Sequence, residues 1–335
     1  MGTCGRAGAV TDPLPGAVVR SGKDQTSIAD AVIRLRARRL VAIPTETVYG
    51  IAARTLEPEA IEQIYRVKGR PGDNPLIAHV SSVEMARSLV SEWPEEADRL
   101  ALVLWPGPLT MVLPRADSVP KISTGGRDSI AIRIPAHSVA LEVIHRLGEP
   151  ISAPSANRSG SLSPTEARHV LSEFVDHDLL VLDGGPCRVG LESTVVDLRG
   201  RLPEVLRPGV VTPERLSGIL GVEVVSRDSE GQADSPGTAT SHYAPATETR
   251  LCSAEEAGGE HVAVISIGGD RDSSHVTGRF RVALPSDPEI VGALLYSSLH
   301  AADLSGSRRI DVVPPPSTPS WAAVRDRLER AAAPR

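Results

Sequence analysis

The chain has 335 residues, enough for two domains, with a formal charge of −6 and only two Phe, three Trp and four Tyr. That balance weighs against a protein that tracks a long stretch of nucleic acid, which carries a basic excess, and against a base-stacking platform, which needs exposed rings. A small anionic ligand in a local basic pocket stays open.

Residues 1–20 lack the apolar core of a signal peptide and read as a loose, flexible tail. SIADAVIRLRARR (27–39) spaces Ile28, Ala31, Val32 and Leu35 as a helix does, and LVAIPT (40–45) is a buried strand stopped by Pro44. EPEAIEQIYRVKG (57–69) is a helix, acidic early and basic late, with Gly69 as its stop. PLIAHV (75–80), LTMVLPR (109–115) and SIAIRIP (129–135) are strands, helices follow near 138–147 and 165–174, and ISAPS at 151 opens with a short strand. LLVLDGG (179–185), STVVDL (193–198) and EVLRPG (204–209) add strands, and TPERLSGILG (212–221) is a short helix. The polar stretch 226–241 is a linker or mobile loop. Beyond it come strands at 261–268, 279–285 and 309–316, a helix over 287–304 with Asp287 near its start, and a closing helix over 320–333 capped by Ser320. The order predicts an α/β or α+β domain with a large sheet over 21–225, a linker over 226–247 and a small α/β domain over 248–335.

Five segments concentrate polar chemistry. PTETVYG (44–50) places Thr45, Glu46 and Thr47 just past a strand end, as site lining or as plain turn chemistry. RVKGRPGDNP (66–75) presents Lys68 and Arg70 from a backbone shaped by Gly69, Pro71, Gly72 and Pro75. That suits a phosphate chain, although cations at a helix end also complement its dipole. No P-loop pattern is present. In SIAIRIP, Ser129, Ala131 and Arg133 share one strand face, and a buried arginine there demands an anionic partner, either a protein carboxylate or a ligand. ISAPSANRSGSLSPT (151–165) and GGPCRVGLESTVVDL (184–198) follow strands with dense hydroxyls, amides and glycines, as nucleotide contacts or as polar loops. SHYAP (241–245) sets His242 and Tyr243 beside the linker, as a surface loop or a cover folded over a ligand. His79 stands alone after its strand.

Cys4, Cys187 and Cys252 show neither zinc spacing nor a disulfide framework, which points to a reducing, cytoplasmic setting, and no stretch reaches the roughly 18 apolar residues of a membrane span. No metal-ligand set, nucleophile elbow or Ser-His-Asp order is legible, and the glycines do not match a dinucleotide fingerprint.

Taken together, PTETVYG, KGRPGDNPLIAHV, LWPGPLT, IRIP, APSANRSG and GLESTVVD resemble the YrdC-domain family in its two-domain form, the L-threonylcarbamoyladenylate synthases. The family's K-x-R and S-x-N are here Lys68, Arg70, Ser155 and Asn157. The resemblance is strong over about 25–225 and continues through 235–245 and, more weakly, to the closing helix. It implies a YrdC-like twisted mixed open sheet with a deep concave ligand face and a smaller C-terminal, Rossmann-like α/β domain. It implies L-threonine at Thr47, His79, Arg133, Ala153 and Ser193, and ATP at Lys68, Arg70, Asn74, Ser129, Ser155, Asn157, Ser163, Arg207 and Tyr243. Lys68, Arg70, Ser155 and Asn157 would form the catalytic group, with magnesium accompanying ATP and no protein metal site. Bicarbonate would supply the carbon, and the product would pass to tRNA threonylcarbamoyl transferase proteins, with weak or indirect tRNA contact. The linker SPGTATSHYAP departs from the family's SPGM-x-x-x-HYAP at Thr238 and Ser241, so the lid's contacts differ. An RNA-binding module without turnover, and a paralogue making another carbamoyl-adenylate for a small molecule, are the competing readings.

Overall fold

The computed structural model describes residues 16–226, 243–268 and 278–334. Cys4 and most of the expected tail, and the linker stretch holding Thr238, Ser241 and His242, lie outside the described residues.

Eleven strands form the first sheet. Their order is β1 (Val18–Ser21), β8 (Leu180–Asp183), β2 (Val41–Ile43), β3 (Gly50–Arg54), β7 (Ile151–Ser152), β4 (Ile77–His79), β6 (Ser129–Arg133), β5 (Leu109–Pro114), β9 (Thr194–Asp197), β10 (Glu204–Arg207) and β11 (Val225–Ser226). The sheet is mixed: β1, β8 and β2 run parallel, while β3 and β7 are antiparallel to their neighbours. β1 lies inside the segment expected as a tail. Three of its four residues are exposed, so it carries no hydrophobic period from which a strand could be read. Sequence reading also passed over β3 and two helices, α3 (Val83–Arg87) and α4 (Glu95–Leu104).

Helices cover the sheet unequally. α1 (Gln25–Arg36), held at its start by Asp24 accepting from the backbone of Thr26 and Ser27, packs with α5 (Ser138–Leu147) on β2, β3 and β8. α2 (Pro58–Lys68) and α6 (Ala167–Phe174) cover the reverse side of that half. As expected, Gly69 ends α2, in the left-handed conformation at φ 60°. Over the other half, α3, α4 and α7 (Pro213–Leu220) bury one face of β4, β5, β6 and β9. Ile130 and Ile132 of β6 point into that core, whereas Ala131 joins Ile77, Val112, Val195 and Leu206 in a small separate cluster. The period-2 pattern of SIAIRIP thus divides a packed face from a ligand face.

The second domain is a four-stranded parallel sheet, ordered β12 (Glu248–Leu251), β15 (Arg309–Val313), β13 (Gly259–Ile267) and β14 (Gly278–Leu284), with α8 (Pro288–Asp303) and α9 (Ala322–Ala331). Asp287 caps α8 as its position suggested, accepting from Glu289 and Ile290 N–H. Ser320 does not cap α9. Residues Pro319–Trp321 form a 3₁₀ turn, and the Ser320 hydroxyl lies 3.1 Å from that of Thr318. The buried Trp321 indole anchors this turn, so packing sets the helix start instead of a side-chain cap.

The two domains share a core in which Val48, Leu162, Leu191 and Tyr243 pack with Leu295, Tyr296 and Leu299 of α8. At the same junction His169 of α6 stacks on His300 of α8 at 3.9 Å. Burial, then His300 and Arg168, pushes His169 down to about 3, and burial lowers His300 as well. Both rings are therefore neutral in the folded chain, and the unfolded chain takes up their protons first. Stability should fall as pH drops below about 6.5, with His169 contributing up to about 1.4 kcal/mol per pH unit and His300 acting in the same direction. Thermal midpoints between pH 7.5 and 5 should fall less steeply for His169→Asn than for the parent; parallel curves would rule the pair out as the source.

Candidate active site

The parallel register of β4 and β6 sets His79 beside Arg133. Arg133 donates from Nε to the Gly107 carbonyl at 3.1 Å and from Nη1 to the Thr47 hydroxyl at 2.9 Å, and its Nη2 lies 2.6 Å from Glu46 Oε1. Of the two partners open to it, a protein carboxylate is therefore already in place. A guanidinium has five N–H groups, so donor capacity remains on both terminal nitrogens toward the cavity. Glu46 Oε2 also accepts from the Ala136 N–H at 2.9 Å. Thr45 performs the turn chemistry, accepting from Thr47 and Val48 N–H and donating to the Val48 carbonyl at 2.6 Å. His79 Nδ1 faces the Ile77 carbonyl at 3.2 Å, so Nδ1 carries the proton and Nε2 is an acceptor. Burial, reinforced by Arg133, depresses its pKa to about 3, which keeps the ring neutral.

Opposite stand Ser193 and Arg207. The Ser193 hydroxyl lies 2.7 Å from that of Thr110. Its carbonyl accepts from Arg207 Nε at 3.1 Å and Nη2 at 3.0 Å. The chain turns sharply after Arg207, and a Cβ on Gly209 would fall 2.4 Å from the Thr194 nitrogen, so this turn requires glycine. Arg70, just past Gly69, donates to the Asn74 carbonyl at 3.2 Å, to Asn74 Oδ1 at 2.5 Å and to the Pro75 carbonyl at 2.9 Å. Burial and the charge of Arg207 bring it down to about 10.

One cavity, of about 550 Å³ with its mouth included, gathers Thr47, His79, Arg133, Ala153 and Ser193 together with Arg70, Ser155, Arg207 and Tyr243. Thr45, Val48, Gly50, Ile77, Pro154 and Glu192 complete its lining. Sequence reading did not single these out as ligand contacts, although Thr45 and Glu192 lie inside motifs it flagged. Tyr243 is buried with φ at 59°, in the left-handed region, 6.0 Å from the Tyr296 ring, and the Arg327 guanidinium lies 5.4 Å from its centroid.

Five expected residues stand behind the wall. The Lys68 ammonium is buried and donates to the carbonyls of Ser155, at 2.6 Å, and of Asn157. Burial and Arg70 hold its pKa well below the usual lysine value. Asn157 donates to the carbonyls of Arg158 and Ser161, Asn74 steadies Arg70, Ser163 donates to Glu192 at 2.5 Å, and Ser129 sits buried at the start of β6. Lys68 is thus the tie of the S-x-N loop. In Lys68→Met, which removes both hydrogen bonds, amide exchange over 155–161 should quicken at least about tenfold; unchanged exchange would mean the loop holds itself.

Three arginines thus face a hollow whose lining carboxylate, Glu192, is held by Arg327, Ser163 and Tyr296. The family described as Telomere recombination (Sua5, YciO, YrdC) matches residues 34–209, and the threonylcarbamoyl-AMP synthase C-terminal domain matches 211–333. A Bacillus subtilis threonylcarbamoyl-AMP synthase is 36% identical over 323 residues, covering 91% of this chain and 92% of that protein. One from Pyrococcus abyssi is 45% identical over 234 residues, 69% of each. The chain belongs to the Sua5/YciO/YrdC family. A solved member of that family, P. abyssi Sua5 complexed with L-threonine, superposes with a TM-score of 0.83 at 37% identity, over 94% of this chain and 96% of that one. The Sua5/YciO/YrdC match spans β2 to β10 of the first sheet, and the C-terminal-domain match spans β11 and the second domain.

Proposed function

We propose that this cavity binds the carbamate of L-threonine against ATP and joins the two. The chain catalyses formation of threonylcarbamoyl-AMP and pyrophosphate from L-threonine, bicarbonate and ATP, a nucleotidyl transfer that serves tRNA modification. The observation that carries the site assignment is the convergence of buried Arg70, Arg133 and Arg207 with neutral His79 in one hollow.

In this reading Arg133 takes the threonine carboxylate on its remaining N–H groups, with Thr47, Ser193 and the backbone at Ala153 around the side chain. His79 Nε2 accepts from the threonine amine or hydroxyl. The amine adds to the bicarbonate carbon and water leaves, giving an N-carboxylate. One carbamate oxygen then attacks the α-phosphorus, a P–O bond forms, and the bond to pyrophosphate breaks. No residue need bond covalently to the substrates; alignment and charge stabilisation do the work. Arg70 and Arg207, with Ser155 and Tyr243, meet the nucleotide directly. Lys68, Asn157, Asn74 and Ser163 shape the wall behind it, and Ser129 lies farther along the same strand face. The described residues hold no cluster of three or more His, Cys, Asp or Glu. Magnesium would accompany the triphosphate, supplying charge neutralisation at the phosphate oxygens.

Catalysis is assigned to residues 21–225 together with β1, with 226–247 as a connecting lid and 248–335 as the second domain; Tyr243 is the lid's described representative at the cavity. The adenylate is labile in water, so a tRNA threonylcarbamoyl transferase is the expected recipient, and the net charge of −6 suits weak or indirect tRNA contact. No described helix is long and apolar enough to cross a membrane, and a cytoplasmic setting is proposed from the cysteine pattern. Pyrophosphate release should require both threonine and bicarbonate. Release that continues when threonine is omitted would overturn the assignment.

A further inference from the structure

The second domain lies against the cavity wall at one loop. Gly190 and Gly292 allow the contact: a Cβ on Gly190, at φ 72°, would fall 2.4 Å from the Gly292 carbonyl oxygen of α8, and one on Gly292 would fall 3.3 Å from the Val189 carbonyl. Two residues past Gly190, the Glu192 carboxylate is buried in the cavity lining. The second domain supplies its partners. Arg327 of α9, fully buried, donates from Nε to Glu192 Oε2 at 2.9 Å and from Nη1 to the Pro208 carbonyl at 2.9 Å. The Tyr296 hydroxyl of α8 donates to Glu192 Oε2 at 3.1 Å. From the first domain, Ser163 donates to the other oxygen. Pro208 follows Arg207 directly, so Arg327 grips both ends of the Ser193–Arg207 contact.

We propose, resting on the function given above, that Arg327 and Tyr296 are positioning residues for the nucleotide. Acting through Glu192, they fix Ser163, Arg207 and Tyr243 at the wall that receives ATP. The chemistry favours a role on the nucleotide side. Glu192 bears on the hydroxyl of Ser163 and the charge of Arg207, whereas Arg133, His79 and Thr47 are held by Gly107, Ile77 and Glu46. The Glu192 carboxylate stays ionised despite burial because Arg327 and Arg207 offset its desolvation, so its acceptor lone pairs remain available to orient those donors. The second domain then supplies the counter-charge and hydrogen bonds that make a buried acid usable in the first.

The test uses the full-length chain. Tyr296→Phe keeps the ring in the shared core and removes one hydrogen bond to Glu192. It should raise KM for ATP, and the ATP dissociation constant by calorimetry, about tenfold, the scale of a bond to a charged group. KM for threonine should rise less, since Arg133 and His79 are held by Gly107, Glu46 and Ile77 and, of its contacts, Ser193 alone adjoins Glu192. Glu192→Gln should do the same, and the double variant should be no worse than Glu192→Gln alone, because Tyr296 acts through that carboxylate. Arg327→Met should weaken ATP binding further and Arg327→Lys should recover part of it; should Arg327→Met not fold, the Tyr296 and Glu192 cycle decides. Additive effects, or equal losses for threonine and ATP, would overturn the proposal. If the parent releases no threonine-dependent pyrophosphate, the assigned reaction fails instead, and ATP calorimetry still judges the positioning role.

Discussion

Arg133→Ala is expected to lower kcat/KM for threonine by about 10²- to 10³-fold, the cost of removing one preorganised charge-bearing donor from a buried site. Along β6, alternation leaves Arg133 on the ligand face with its fork fixed from three sides by Gly107, Thr47 and Glu46. A fork so held loses little freedom when a carboxylate arrives. Arg133→Lys should recover only a fraction, since an ammonium restores charge but not the planar geometry. Stability must be separated from chemistry here. Removing Arg133 leaves Glu46, 1% exposed, without its counter-charge, a loss of about 3–5 kcal/mol for a broken buried pair. Glu46→Gln combined with Arg133→Ala should therefore regain much of the stability and none of the rate. Recovery of rate in that double variant would show that Arg133 merely balances Glu46.

The second large effect is expected at the domain junction. Glu192→Ala should cost about 3–5 kcal/mol of stability, seen as a fall of about 1–2 M in the urea midpoint. The Arg327 side chain is completely buried, and without Glu192 it keeps Asp326 and the Pro208 carbonyl but loses the acid that links it to the first domain. Glu192→Gln, which keeps the side-chain volume and one oxygen to accept from Ser163, should cost less. A midpoint unchanged by Glu192→Ala would mean that the apolar contacts of Val48, Leu162 and Leu191 hold the domains together unaided.

Much of this site is legible in the sequence because its residues sit at strand ends and in shaped turns. Arg133 follows from alternation along SIAIRIP, and Arg70 from a left-handed glycine followed by prolines. Lys68 is the instructive case. Its place beside Arg70 suggests a phosphate contact, yet the structure ties its amine to the carbonyls of Ser155 and Asn157, so the K-x-R and S-x-N motifs meet through backbone. The sequence leaves Glu46 open to site lining or turn chemistry and sets Glu192 in a polar run without showing either partner, because an acid past a strand end looks alike whether it faces water or a buried arginine. Their partners lie 87 and 135 positions away by number in the chain, and no local period encodes a pairing of that span. β1 was hidden for the opposite reason: a short, exposed edge strand has nothing apolar to repeat.

The Glu192–Arg327 contact also bears on the order in which a ribosome delivers the molecule. The acid emerges 135 residues before its cationic partner, with all of the second domain still to be made. Until that helix arrives, the nascent first sheet holds a carboxylate it can desolvate only at high cost, beside Arg207 and a serine hydroxyl alone. The nucleotide wall therefore matures last, so a chain interrupted during translation carries the threonine pocket before it carries a finished place for ATP.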